Sequence, residues 1–197
     1  MQKELFEFGA YYDKSADVKE PILWRALDRD GDYTFAVTEF CIDKKPYNND
    51  FSTTSWEECS LRSWLNNEFY NLAFSEEEKA RIKTTTVPTS FNPSTFMSSG
   101  DPTEDKIFLL SLEDVLGGLF NGDEDAIAKP TEYAISQGVV ELDGGACYWW
   151  LRTPGAPNAA LVVEEDGQMR SLGKPVTGAF LMDFGICVRP AMWVMVN

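Results

Sequence analysis

Two short segments near the carboxyl end of the chain combine aromatic, cysteine and arginine side chains at close spacing. They are residues 147–155 (CYWWLRTPG) and residues 185–191 (GICVRPA), which runs into Met192-Trp193-Val194. Each is typical of a strand that carries bulky apolar groups into a core and then places an arginine and a proline at its edge. Consecutive residues of a strand face opposite sides, so one of Trp149 and Trp150 is expected to face outward.

An outward tryptophan close to Arg152 would form a stacking surface for a sugar or a peptide. Gly155, Pro157 and Asn158 follow directly, and small or turn-forming residues leave backbone groups approachable. We therefore predict a ligand-binding pocket or groove beside residues 153–159, touching at least one of the two tryptophans. The alternative is that long loops cover both rings. The predicted ligand-binding residues are Trp149, Trp150, Arg152, Asn158 and Arg189.

Arg152 and Arg189 also have a structural interpretation. A strand-end arginine followed closely by proline is expected to be buried and bonded to carboxylates or backbone carbonyls. Both side chains would then brace the loops at that edge of the fold.

The chain contains no histidine and four cysteines. The first fact excludes Ser-His-Asp and Cys-His nucleophile pairs and histidine-based zinc sites. Cys41, Cys59, Cys147 and Cys187 form no C-x-x-C pair and lie in apolar stretches, which favours buried free thiols over a zinc knuckle. If the protein is exported, the alternative is that the four cysteines form two disulfides.

Two acidic segments have spacing that resembles a calcium-binding loop. Asp28, Asp30, Asp32 and Glu39 occupy the first, third, fifth and twelfth positions of an EF-hand loop, but Tyr33 stands where the sharp turn needs glycine. Residues 121–132 repeat this spacing, again without the glycine. Residues 156–158 (APN) resemble the ligand triplet of calcium-dependent lectins, with alanine in place of the carboxylate. We therefore predict no metal site, no cofactor and no catalytic residues.

The chain is strongly acidic. Its 197 residues contain 17 Lys and Arg against 32 Asp and Glu, for a net charge of −15. This charge repels phosphate backbones and anionic lipid headgroups, so nucleic acid is not an expected partner. A membrane-spanning apolar run and a signal peptide are also missing from the sequence, which predicts no membrane insertion and leaves two locations open. The protein is either cytoplasmic, or exported with its leader already removed.

Hydrophobic periodicity predicts an α+β chain with strands at both ends and helices in the middle. A hairpin is expected around Asp30-Gly31 and another around Asp166-Gly167. Capping residues predict helices that start after Ser55, Ser75 and Ser111, and Pro130 favours a helix over residues 130–137. Residues 84–104 are expected to be a long loop, and residues 106–110 a buried strand. With no linker or repeat visible, residues 1–197 are interpreted as one domain.

Four elements in this order resemble a known family: residues 22–24 (ILW), residues 56–67 with LRSWLNN, residues 105–111 (DKIFLLS), and the pair of arginine-bearing segments at 147–155 and 185–191. The chain is similar, over about residues 5–196, to a bacterial family of domains of unknown function, DUF6273. The resemblance extends to the C-type-lectin-like fold shared with formylglycine-generating enzymes. It implies short antiparallel sheets, two or more helices, long loops, and terminal strands that pair.

The function expected from these observations is non-catalytic binding of a glycan or protein ligand. An oxidase of the formylglycine-generating type is the enzymatic alternative, and it would need reactive cysteines within reach of each other. Cys147 and Cys187 are the candidates. Arg189 would lower a thiol pKa if adjacent, although strand alternation directs neighbouring residues to opposite faces. A structural or assembly module, surface or phage related, is the remaining alternative.

Overall fold

The computed structural model describes residues 4–178 and 185–196, and these form a mixed α+β structure made mostly of sheets with short helices. The strands are β1 Leu5–Tyr12, β2 Lys19–Asp30, β3 Tyr33–Thr38, β4 Asp43–Lys44, β5 Thr85–Val87, β6 Thr103–Asp105, β7 Trp149–Pro154, β8 Ala159–Val163, β9 Lys174–Pro175, β10 Cys187–Val188 and β11 Ala191–Met195. The α-helices are α1 Ser60–Trp64, α2 Tyr70–Ala73, α3 Glu76–Arg81, α4 Leu112–Asp114, α5 Asp123–Ala126 and α6 Glu132–Ser136.

The first sheet has the strand order β1-β2-β3-β11. Its centre is the predicted hairpin of β2 and β3, where Gly31 provides the left-handed turn at φ 57°. The terminal strands lie in this sheet, but they do not pair. Strands β2 and β3 separate them, because β11 pairs with β3 instead. The prediction that the two terminal strands pair is therefore wrong.

Helix α3 connects these two edges across the face of the sheet. Arg81 donates two hydrogen bonds to the carbonyl of Met195 in β11, at 2.9 and 2.6 Å, and its guanidinium lies 5.1 Å from the ring of Phe8 in β1. The amide of Gly9 donates to Oε1 of Glu78 at 3.0 Å. The first three residues of the predicted amino-terminal strand lie outside the described residues.

The second sheet has the order β4-β10-β7-β8-β9 and contains both arginine-bearing segments. Strand β10 pairs with β7 in parallel, with Cys187 opposite Trp149. This parallel pair departs from the short antiparallel sheets that we predicted. It places residues 147–155 and 185–191 side by side at the centre of the sheet.

The helix caps confirm two of the three predicted helix starts. Ser75 and Glu78 form a capping box at α3, and Ser111 and Asp114 form one at α4. The start after Ser55 is wrong, because α1 begins at Ser60 and its cap is the Cys59 thiol, which accepts from the Arg62 amide. Residues 65–69 then continue from α1 to α2 as a π-helical stretch. Helix α6 follows Thr131, which caps it, and so starts two residues later than predicted.

The segment predicted as a long loop contains a small hairpin. Strands β5 and β6 pair in antiparallel fashion, which leaves residues 88–102 as the loop between them. Residues 107–110 are buried as predicted, but they form a single bridge, between Phe108 and Ala191, rather than a strand. A contiguous core of apolar side chains joins both sheets and the helices.

Candidate ligand-binding groove and buried thiol cluster

Trp149 and Trp150 are both fully enclosed. The indole N–H of Trp149 donates to the carbonyl of Ala126 at 3.2 Å, and that of Trp150 donates to the carbonyl of Lys45 at 2.9 Å. Every residue of β7 is buried, because the strand lies between β10 and β8 and both of its faces are covered. The expectation that one of these rings faces outward is therefore wrong.

Residues 153–155 are buried, whereas Ala156, Asn158 and Ala159 are half-buried and Pro157 is exposed. The side chain of Asn92 donates to the carbonyls of Pro154 and Ser171 at 2.9 and 2.8 Å, and Thr95 donates to the carbonyl of Gly155 at 2.8 Å. The loop between β5 and β6 thus occupies the carbonyls of Pro154 and Gly155, in the segment that we expected to be approachable. Asn158 is half-buried in a left-handed turn at φ 63°, and its side-chain oxygen accepts from the Thr53 hydroxyl at 2.9 Å.

The two strand-end arginines are buried and bonded as predicted. Arg152 donates to the carbonyl of Leu109 at 2.9 Å and to the carboxylate of Asp114 at 2.6 Å. Arg189 donates to the carbonyls of Thr38 and Ala126 at 2.9 and 3.1 Å. The structure separates them, however, since Arg152 lines a surface groove and Arg189 is fully enclosed.

This aromatic groove has a volume of about 380 Å³ and lies between the first sheet and α4. Three aromatic rings form an apolar side. Phe35 and Trp193 are opposite each other on β3 and β11 and stack with centroids 5.0 Å apart, and Phe108 stacks on Phe35 at 5.8 Å. Trp193 is half-buried, whereas both phenylalanines are buried. The remaining lining residues are Asp28, Thr85, Thr86, Val87, Pro88, Glu113, Asp114, Gly117, Leu119 and Arg152.

The charged groups of the groove are held by internal bonds. The Glu113 carboxylate accepts from the Ser90 hydroxyl at 2.6 Å and from the Phe91 amide at 3.1 Å. Burial raises the pKa of Glu113, but these hydrogen bonds outweigh burial and lower it overall, so this carboxyl stays ionised at neutral pH. Asp28, Glu113 and Asp114 outnumber Arg152, so the groove has a negative balance.

A buried cluster of three thiols lies elsewhere in the fold. The Sγ atoms of Cys41, Cys147 and Cys187 are all within 4.8 Å of one another. All four cysteines are free and buried, which confirms the buried-thiol interpretation. The enzymatic alternative required Cys147 and Cys187 within reach of each other. They are, but their burial leaves the thiols closed to a substrate.

Electrostatics distinguish the three thiols. Burial opposes ionisation of Cys41, yet hydrogen bonding with the Cys147 and Cys187 thiols and the charge of Arg189 lower its pKa well below the ordinary value. Burial raises the pKa of Cys187. Arg189 follows the end of β10, and its charge acts on the thiols of Cys41 and Cys147, contrary to the expectation that strand alternation separates the arginine from the thiols.

The acidic segments that resembled calcium loops have other roles. Asp30, Gly31 and Asp32 lie at the exposed tip of the β2–β3 hairpin, which confirms the hairpin predicted around Asp30-Gly31. Asp125 and Glu39 accept from Arg25, at 3.2 and 2.6 Å. These two carboxylates therefore neutralise a buried arginine.

Sequence reasoning missed the aromatic groove although its signal was present. Phe35 lies on β3 and Trp193 on β11, and side chains alternate between the two faces of a strand. The sequence therefore predicts that each ring lies on one face of its own strand. What the sequence did not show is that β3 and β11 are neighbours, which puts the two rings on the same face. The thiol cluster depends likewise on the pairing of β10 with β4 and β7.

These features define an acidic, mixed α+β chain with a surface groove of aromatic and charged side chains and a closed thiol cluster. A family model described as a domain of unknown function (DUF6273) matches residues 31–196, and the chain belongs to this family. No curated protein and no solved structure matches it. In residues 4–178 and 185–196, no helix is both long enough and apolar enough to span a membrane.

Proposed function

We propose that this protein is a non-catalytic binding module that takes a neutral carbohydrate chain in the aromatic groove. The observation that carries the proposal is the stack of Phe35, Phe108 and Trp193 in one groove with the polar side chains of Glu113, Asp114 and Arg152. A sugar ring has apolar C–H faces and a rim of hydroxyl groups. The aromatic side would contact the former, and the carboxylates and guanidinium would exchange hydrogen bonds with the latter.

Size and charge support this choice of ligand. A volume of about 380 Å³ is within the range of small-molecule sites. The negative balance of the groove, together with the net charge of −15, disfavours a phosphorylated or sulfated ligand. A flat partner protein would leave a concave groove unfilled, so the same geometry favours a narrow chain over a broad surface.

Of the residues predicted to bind ligand, the proposal retains Arg152. It assigns to Trp193 the role that was expected of Trp149 and Trp150. It does not depend on a C-type-lectin-like fold, which we propose on the resemblance alone. That fold agrees with the presence of both terminal strands in one sheet, but not with the pairing expected of them.

The test is a glycan array and a peptide array on the purified protein, each with calcium and with EDTA, followed by calorimetry on the neutral glycans retained. We expect glycan binding that EDTA does not change, because the groove carboxylates already accept protein hydrogen bonds. Binding to peptides but to no glycan would show that the ligand is a peptide or protein and not a carbohydrate. The absence of binding on both arrays would contradict the proposed function.

A matched pair of variants locates the site. Trp193→Ala removes aromatic area from the groove, and we expect affinity to fall about tenfold or more. Trp64→Ala is the control, since Trp64 is also half-buried with a lysine over its ring but lies beside a different cavity. Equal losses in the two variants would show that binding does not take place in the groove.

A further inference from the structure

The thiol cluster is built on backbone positions that hydrogen bonds fix. The amide of Cys41 donates to the carbonyl of Lys129 at 2.9 Å, and that of Cys147 donates to the carbonyl of Ala128 at 3.0 Å. The amide of Cys187 donates to the carbonyl of Tyr148 at 2.8 Å. Three segments far apart in sequence therefore bring their sulfur atoms to one point on a rigid scaffold.

The spacing of the sulfur atoms matches what a metal ion requires. A cation at the centre of three thiolates, with metal–sulfur bonds of about 2.3 Å, holds the sulfurs about 4 Å apart. The Sγ atoms of Cys41, Cys147 and Cys187 lie within 4.8 Å of one another. Side-chain shifts of less than about 1 Å would bring all three to bonding distance, which needs no rearrangement of the strands.

The charge next to the cluster is the second observation. Arg189 is fully buried, and its hydrogen bonds to the described residues go to backbone carbonyls, with Nη2 left without a partner. In the described part of the chain no carboxylate forms an ion pair with it, and Glu39, which acts on it from a distance, is bonded to Arg25. The rings of Phe120 and Trp149, at 5.6 and 4.9 Å from the guanidinium, offset part of the cost of burying this cation, and a nearby anion would offset the rest. The other groups that act on Arg189 and can become anionic are the thiols of Cys41 and Cys147.

We propose that Cys41, Cys147 and Cys187 bind one thiophilic cation, Zn²⁺ or Cu⁺, as a three-thiolate site. Soft sulfur ligands select these ions over harder ones. Three thiolates around Zn²⁺ have a net charge of −1, which the positive charge of Arg189 cancels, and around Cu⁺ the net charge is −2, which it halves. On binding, three S–H bonds break, three metal–sulfur bonds form and three protons leave to solvent, with no electron transferred.

This site is separate from the aromatic groove and independent of the proposed function. Because the thiols are buried, the ion enters during folding, as is usual where metal binding and folding are coupled. Its role would be structural, holding the segment after β3 to strand β10 and to the segment that leads into β7.

The experiment loads the metal while the protein folds. Reduced, unfolded protein is refolded anaerobically with Zn²⁺, with Cu⁺ or with Co²⁺ as a spectroscopic probe, passed through gel filtration and analysed for metal per chain. We expect one ion per chain from the Zn²⁺ or Cu⁺ arm, and a thiolate-to-cobalt charge-transfer band in the Co²⁺ arm. Folded protein that retains no Zn²⁺ or Cu⁺ would overturn the proposal, as would Co²⁺ that is retained without this band.

Variants assign the ligands. Cys41→Ala and Cys187→Ala are expected to lose the bound ion. Cys59→Ser is the matched control, because Cys59 is a buried thiol outside the cluster and a serine oxygen can cap α1 in its place. It should retain one ion per chain. Equal binding by the alanine variants and the parent would contradict the assignment. If an alanine variant does not fold, the charge-transfer intensity of the parent, which scales with the number of thiolates, decides the question.

Discussion

The carboxylate of Asp114 joins Arg152 to the start of helix α4 through a single oxygen atom. Its Oδ2 accepts from the Arg152 guanidinium at 2.6 Å and from the Ser111 amide at 2.7 Å. One atom therefore serves both the capping box and the strand-end arginine. This contact fixes the polar wall of the aromatic groove against β7.

The first prediction concerns the strength of this contact. In a double-mutant cycle on Arg152→Ala and Asp114→Ala, we expect a coupling energy of about 1.5–3 kcal/mol, because the arginine is buried and the hydrogen bond is charged. The exposed pair Lys14 and Glu20 is the control and should couple more weakly, because solvent screens exposed charges. Urea unfolding measures both cycles. Similar coupling in the two pairs would contradict a structural role for Arg152.

The second prediction concerns Arg189. Arg189→Ala leaves the carbonyls of Thr38 and Ala126 without their donor, and we expect the free energy of unfolding to fall by about 1–3 kcal/mol. Arg170→Ala is the control, because Arg170 is half-exposed and its buried partner Glu164 keeps an ion pair with Lys174. That change should cost less stability than Arg189→Ala, because solvent screens the charge of an exposed arginine. Equal melting temperatures of parent and Arg189→Ala would contradict the bracing role.

Local signals in the sequence predict much of this fold. The features that they do not predict depend on pairing between distant segments. The Ser75 and Ser111 caps are recognisable because both partners of each capping box lie within four residues. The outward tryptophan is a wrong prediction because alternation gives opposite faces but does not say whether each face is covered. Coverage of Trp149 and Trp150 depends on the packing of distant segments, which no short pattern encodes.

The third prediction concerns acid stability and Glu78. Burial tends to raise the pKa of Glu78, but hydrogen bonds from Ser75 and the Gly9 amide outweigh it, so the pKa is lowered in the folded state. A lowered carboxyl pKa contributes stability above the unfolded-state value, and this contribution is lost as the pH falls through the folded-state value. We therefore expect Glu78→Gln to be less stable than the parent at pH 7 and to lose less stability on acidification.

The measurement for Glu78 is urea unfolding at steps from neutral pH to about pH 3, across the usual range of carboxyl pKa values. Glu77→Gln is the matched control, since Glu77 is a neighbouring, exposed residue of the same helix. Its stability profile should follow that of the parent. Parallel profiles for Glu78→Gln and the parent would show that the capping box is not the source of the acid sensitivity.

The last prediction compares Gly155 with Gly117. A Cβ at Gly155 would lie 2.3 Å from the carbonyl oxygen of Leu172, and that oxygen accepts from the Ala156 amide at 2.8 Å. Relief of the clash would break this hydrogen bond, so we expect Gly155→Ala to destabilise the protein by about 1–3 kcal/mol. A Cβ at Gly117 would lie in open space, and the φ of Gly117 is not left-handed. Gly117→Ala should therefore raise the free energy of unfolding by about 0.4–1 kcal/mol, because alanine lowers the conformational entropy of the unfolded chain. Thermal and urea unfolding measure both, and equal shifts in the two variants would contradict the close approach at Gly155.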